Sequence, residues 1–188
     1  MLDNKDKIIL SLCDYSGNWP RPYAEAGYCV IYFDIAKSGL DIRLLTPINM
    51  GGKVHGILAA PPCTEFASSG ARWWKQKGVA PLLENLSIVD SCYRIVMINK
   101  PKWWALENPV GRLKNYLGPP VYRFDPCDFG DPYTKRTLLW GEFNPPIKNP
   151  VPPTQGSKMH LVPGSKNQAR IRSETPEGFA RAFFAANP

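Results

Sequence analysis

Residues 54–63 read VHGILAAPPC, an apolar run of strand length stopped by two prolines with a cysteine directly behind them. Proline brings no ladder donor, so a buried strand here ends at or before Pro61. The same pattern recurs along the chain. KIILSLC (7–13) gives way to Asp14 and a turn-rich stretch ending at Pro22, YCVIYFD (28–34) ends on an acid, and KWWALEN (102–108) carries another at its end. TLLWG (137–141) reads as a later strand. Between these runs, Leu82, Leu83, Leu86, Val89, Tyr93, Val96 and Met97 recur at helical spacing and predict an amphipathic helix over 81–99. A shorter helical segment near Tyr23–Ala26 closes at Gly27. Strands alternating with helices predict an α/β fold, a doubly wound and mostly parallel sheet. Ligands of such sheets sit outside the carboxyl ends of the strands, and those ends hold Asp14, Asp34, Cys63 and Glu107.

The composition sets the frame. The 188 residues are 44% apolar and 21% charged, enough for one domain with its own core and no need of a disulfide or metal staple. No run approaches the roughly 20 apolar residues of a membrane span, and the N-terminus reads as a strand, not a signal peptide. The expectation is a cytoplasmic protein without a membrane partner. Five cysteines, none in a Cys-x-x-Cys pair, with only two histidines, exclude the usual zinc spacings and fit reduced thiols. A net charge of +7 suits a polyanionic partner.

The core is expected over residues 1–143. Residues 144–174 are proline-rich and basic, opening with NPPIKNPVPP, which cannot hold a helix. Polar, basic Ser157–Arg172 follows as a loop. Residues 175–188 form a last helix, with Thr175 as cap, Pro176 at its first position, and Phe179, Phe183 and Phe184 facing the core.

Taken singly, the reactive residues are ambiguous. Cys63 is either a nucleophile with a lowered pKa or an inert buried thiol. Glu107 is a general acid or the ion-pair partner of Arg112. Together their contexts resemble the cytosine-C5 DNA methyltransferase family. PPCTEFASSG (61–70) resembles its catalytic Pro-Cys segment, with Pro62, Cys63, Phe66, Ser69 and Gly70 at matching spacing. LENP (106–109) resembles its Glu-Asn-Val segment, with proline in place of valine. LSLCDYSGNWPRPYAEAGY (10–28) is similar to the glycine-rich first segment, through Gly17 and Gly27. Asp41-Ile42, DFGDPYTKRTLLWG (128–141) and RSETP (172–176) resemble later segments in the family's order.

The resemblance implies a Rossmann-like methyltransferase fold and S-adenosylmethionine as cofactor, held by Asp14, Tyr15, Ser16, Gly17, Asp34, Ile35, Asp41, Ile42 and Pro61. It implies Cys63 as nucleophile towards cytosine C6, Glu107 on N3, and Arg136, or Lys135 beside it, on the base or its phosphate. The partner it implies is duplex DNA with the target cytosine flipped out. Ser69, Arg72, Trp73, Trp74, Lys75, Lys77 and Lys135 would face that DNA, the tryptophans stacking or wedging. The bland alternative is a tryptophan pair in a local core among solvated lysines. Tyr15 and Asn18 replace two of the family's glycines, and Tyr133 replaces a glutamine. By direct spacing two arginines become Lys135 and Thr137, so Arg136 serves only with a one-residue shift. The target-recognition region is reduced to about thirty residues, which leaves three readings open: a separate specificity subunit or homodimer, the same chemistry on RNA or a free cytosine nucleotide, or an inactive nucleic-acid-binding module. So small an enzyme suits a bacterial or phage-infected cell and a restriction-modification setting. Transfer of a variant of the methyl group is open too.

Overall fold

The structure, a computed structural model, describes residues 3–45, 54–157 and 173–188. Its centre is one six-stranded sheet made of β1 (Ile8–Leu12), β2 (Cys29–Phe33), β3 (Val54–Ala59), β4 (Trp103–Pro109), β5 (Tyr122–Phe124) and β6 (Thr137–Glu142), in the order β2-β1-β3-β4-β6-β5. The first four strands in that order are parallel, with Leu10 opposite Ile31 on one side and Ile57 on the other. β6 runs against both β4 and β5, so the sheet is mixed although mostly parallel. The reversal has a physical cause. A parallel return needs a long crossover, and between β5 and β6 the chain offers only one short 3-10 turn (Pro126–Phe129).

Alternate residues of each strand feed opposite faces. Leu10, Leu12, Ile57, Leu106, Leu138 and Trp140 pack against α4 (Ala80–Asn99) through Leu82, Val89, Cys92 and Val96. Leu83 and Met97, both expected on the apolar stripe, point to solvent instead. On the other face, Ile9, Leu58, Trp103 and Leu139 meet Trp19, then Tyr23 of α1 (Arg21–Glu25), and Phe179 and Phe183 of α6 (Glu177–Ala186). Short helices α2 (Ile35–Ser38), α3 (Trp74–Lys77) and α5 (Lys114–Leu117) flank the sheet among the described residues.

The last helix starts one residue later than its sequence suggests. Pro176 is the cap, and no side chain of its own serves there. Asp131 supplies the missing acceptor from across the fold, taking the Gly178 N–H at 3.0 Å. Residues 144–153 form neither helix nor strand and are tied down where Asn144 exchanges hydrogen bonds with Asn187 (2.7 and 2.9 Å) and Val151 N–H donates to Cys127 (2.8 Å). Of the basic loop expected over 157–172, all but Ser157 lies outside the described residues, as does Arg172 of the RSETP segment. Among the described residues no helix is long and apolar enough to cross a membrane.

Candidate active site

A cleft of about 1070 Å³ opens at the carboxyl ends of the parallel strands. Its wall begins where β1 stops. Cys13 takes φ +58°, rare for a residue with a side chain, and its N–H reaches Phe33 O at 2.7 Å. That bend delivers buried Asp14 into the cleft. Asp14 Oδ1 accepts from Ser16 Oγ (2.7 Å) and Gly17 N–H (3.0 Å), while Oδ2 is buried with no hydrogen-bond partner. Gly17, at φ +70°, is not part of the lining; a Cβ there would meet Lys37 Nζ and the Tyr32 ring. Its contribution is the turn. Asp34 follows β2 and caps α2 by accepting from Ala36 N–H at 2.9 Å, leaving Ile35 exposed beside it. Asp41 lines the same end, but Arg43 holds its carboxylate and keeps it below the usual range. Ile42, Tyr15, Ser16 and Pro61 line the cleft as well.

Cys63 follows β3 and two prolines. Its carbonyl accepts from both Phe66 N–H (2.9 Å) and Ala67 N–H (2.8 Å), a tight turn that fixes the Cys63 backbone. Burial pushes that thiol above its ordinary pKa and Glu107 pushes the same way, while Lys135 opposes both. Glu107, inside β4, is buried. Desolvation raises its carboxyl above the ordinary 4.5, with Lys135 pulling down and Asp14 adding to the rise. Next to it, Asn108 is fully buried and donates from Nδ2 to Pro61 O at 3.1 Å, fastening the Cys63 turn to β4.

The two cations before β6 take different positions. Lys135 is buried, its Nζ 3.8 Å from Glu107 Oε1 and donating to Glu174 O at 2.9 Å. Arg136 lines the cleft but is largely exposed, 3.7 Å from Asp125 Oδ2. Asp125 was not anticipated from sequence; it pins this segment by accepting the Lys135 N–H at 2.9 Å. The group standing against Glu107 is therefore Lys135, not Arg112.

Arg112 is committed elsewhere. Its Nε donates to Glu65 O (2.6 Å), its Nη2 lies 3.7 Å from the buried Glu65 carboxylate, and its guanidinium covers the Trp74 ring at 4.2 Å. Lys77 meets the same carboxylate at 2.5 Å. Of the residues expected to face DNA, Ser69 and Trp73 line the cleft with Lys135, and Arg72 and Lys75 are exposed outside the lining. Trp74 and Lys77 are instead tied into this clamp. An acid between Cys63 and Phe66 was the only trace of the clamp in the sequence.

These features define a class: a mixed α/β protein with a methyltransferase-like fold and a cleft at its carboxyl edge. A solved structure agrees. A protein assigned as a DNA modification methyltransferase, encoded within a prophage of E. coli, is similar to this chain with a TM-score of 0.52 and 16% identity over 85% of the chain. The match takes in 56% of that protein, so this chain spans little more than half its length. At this identity the likeness is one of fold. No protein-family model matches the chain, and no curated protein matches it.

Proposed function

We propose that this protein is an S-adenosylmethionine-dependent DNA methyltransferase acting on C5 of cytosine through a covalent bond from Cys63. The observation that carries the reading is the meeting, in one cleft, of a turn-fixed cysteine, a buried carboxyl with a raised pKa and a buried lysine.

The residues fit the cofactor. Asp14 Oδ2, buried and unpartnered, is an acceptor waiting for a donor or a positive charge. Asp34 offers a carboxylate to hydroxyl groups, and Ile35, Ile42 and Pro61 offer apolar surface to an adenine ring. S-adenosylmethionine, when bound, supplies the electrophilic methyl group that an activated C5 accepts.

The chain's own part is to make C5 nucleophilic. Cys63 Sγ adds to C6 as Glu107 donates its proton to N3, which pushes electron density onto C5. After transfer the C5 proton passes to water, the electrons of that C–H bond form the C5–C6 double bond as the C6–sulfur bond breaks to release the Cys63 thiolate, and N3 returns its proton to Glu107, which restores the ring. The protonation states follow from the site. Between the titration of Glu107 and that of Cys63 the pair holds one proton. Shifting it from sulfur to carboxyl creates nucleophile and acid together at constant charge. Lys135 favours the thiolate and stands beside Glu107 in either state.

The test is transfer of methyl-tritiated label to mixed-sequence duplex DNA, with single-stranded DNA and RNA in parallel. Label recovered as 5-methylcytosine and lost in Cys63→Ala, with cofactor binding retained, is the expected result. Undiminished transfer by Cys63→Ala, or no label in any nucleic acid, would refute the reading.

A further inference from the structure

Trp73 and Trp74 are neighbours in sequence with opposite fates. Trp74 turns inward beneath Arg112, its indole Nε1 buried. Trp73 lines the cleft with 48% of its surface exposed. We propose that Trp73 is a stacking platform for the nucleobase adjacent to the one that enters the cleft, an inference that rests on the nucleic-acid substrate proposed above.

Three observations carry it. The first is rigidity. The loop from Cys63 to Lys77 is held at both ends, by the Glu65–Lys77 ion pair (2.5 Å) and by Arg112 Nε on Glu65 O (2.6 Å). Between them Ser68 N–H donates to Val110 O and Arg112 N–H to Phe66 O, both at 2.9 Å. A ring presented from so fixed a loop loses little entropy when a ligand covers it. The second is charge. The clamp consumes Lys77, yet Arg72 lies 5.0 Å over the Trp73 ring, and Lys75 and Arg136 stay exposed. A half-open aromatic flanked by cations is what a strand of stacked bases and phosphates requires. The third is position. Trp73 lines the same cleft as Cys63 and Glu107, so a base on its ring neighbours the reacting one along a strand. Stacking of this kind tolerates any base, because every base has a flat face. It gives grip without sequence recognition, in a chain whose segment between core and last helix is short.

The test is fluorescence anisotropy with the full chain and a single-stranded oligothymidylate of about a dozen residues carrying one central cytosine. A second probe has abasic sites on both sides of that cytosine. Trp73→Ala is expected to weaken binding of the first probe roughly 5- to 150-fold, with most affinity kept by Trp73→Phe. Abasic flanks should weaken the wild type by a similar factor and cost Trp73→Ala nothing further. Equal affinity of Trp73→Ala and wild type, or an abasic penalty undiminished in Trp73→Ala, overturns the proposal while leaving the methyltransferase reading intact. No saturable binding of either probe by the wild type overturns this inference, while label transfer to duplex DNA decides the methyltransferase reading separately. Because Trp73 is half exposed, the urea midpoint of Trp73→Ala should match the wild type, which separates lost stacking from lost folding.

Discussion

Gly111→Ala should disable the site without touching any group in it. Gly111 follows β4 and pairs with Ala67 in an isolated bridge, where the two strands of backbone nearly touch. A Cβ at 111 would stand 1.8 Å from the Phe66 carbonyl oxygen and 2.7 Å from its carbon. The Phe66 backbone would have to retreat by about 1.7 Å to reach ordinary contact. Phe66 sits three residues past Cys63 and donates to its carbonyl, so the retreat drags the Cys63 turn. Two backbone hydrogen bonds span the junction, Ser68 to Val110 and Arg112 to Phe66. Losing both costs about 2 kcal/mol, and overpacking adds about 1–3 kcal/mol. A melting temperature lower by about 6–20 °C follows for a domain of this size. In the proposed reaction, a Cys63 sulfur displaced by about 1 Å loses on the order of 100-fold in rate. Cofactor affinity should hold, because Asp14 and Asp34 stand at the ends of other strands. Alkylation of Cys63, followed by peptide mass spectrometry, reads the turn directly and should accelerate as the thiol's burial is relieved. A variant that melts with the wild type and alkylates at the wild-type rate would refute the reasoning.

The electrostatics give further predictions. In Glu107→Gln the relative stability should improve as pH rises. The folded wild type holds this proton above 4.5, where the unfolded chain has released it, so wild-type stability falls from there up through the raised folded pKa. Urea midpoints for the two proteins that stay parallel between pH 4 and 8 would sink this. Lys135→Met removes the charge that pulls Cys63 down, so the pH midpoint of Cys63 alkylation should move upward; no movement would show that Lys135 does not govern the thiol. Asp14→Asn keeps an acceptor for Ser16 and Gly17 but loses the charge, and calorimetry should find S-adenosylmethionine bound roughly 10- to 150-fold more weakly. Unchanged affinity would remove Asp14 from the cofactor site.

How much of this was legible depends on the range over which each feature is encoded. The first four strands show in the sequence because each is an apolar run with its own local signal at the end: a turn-rich stretch from Asp14, an acid at 34, two prolines at 61 and 62, and an acid at 107. Those signals also place the polar residues at the cleft. β5 is three residues long, too short for alternation to register. The reversal of β6 has no local mark either, because direction follows from what the preceding connection can span.

The same distinction runs through the site. Cys63 and Glu107 meet at the cleft because adjacent residues position them, and adjacency can be read. What tunes them is distant. Lys135 lies 28 residues beyond Glu107, and the Glu65–Arg112 contact spans 47. The ambiguity between Lys135 and Arg136 shows the limit. Side chains of successive residues in extended backbone point to opposite sides, so one of the two must be buried and the other exposed. Spacing counted along the chain could not say which. Asp125 decides it by fixing the Lys135 backbone, and the Glu174 carbonyl then receives the Lys135 ammonium. A lysine there is held by its charge as well as by shape, and the carboxyl beside it is raised by burial more than that charge can lower it. Sequence thus locates the groups proposed to react, while their protonation is a property of contacts that only the folded chain creates.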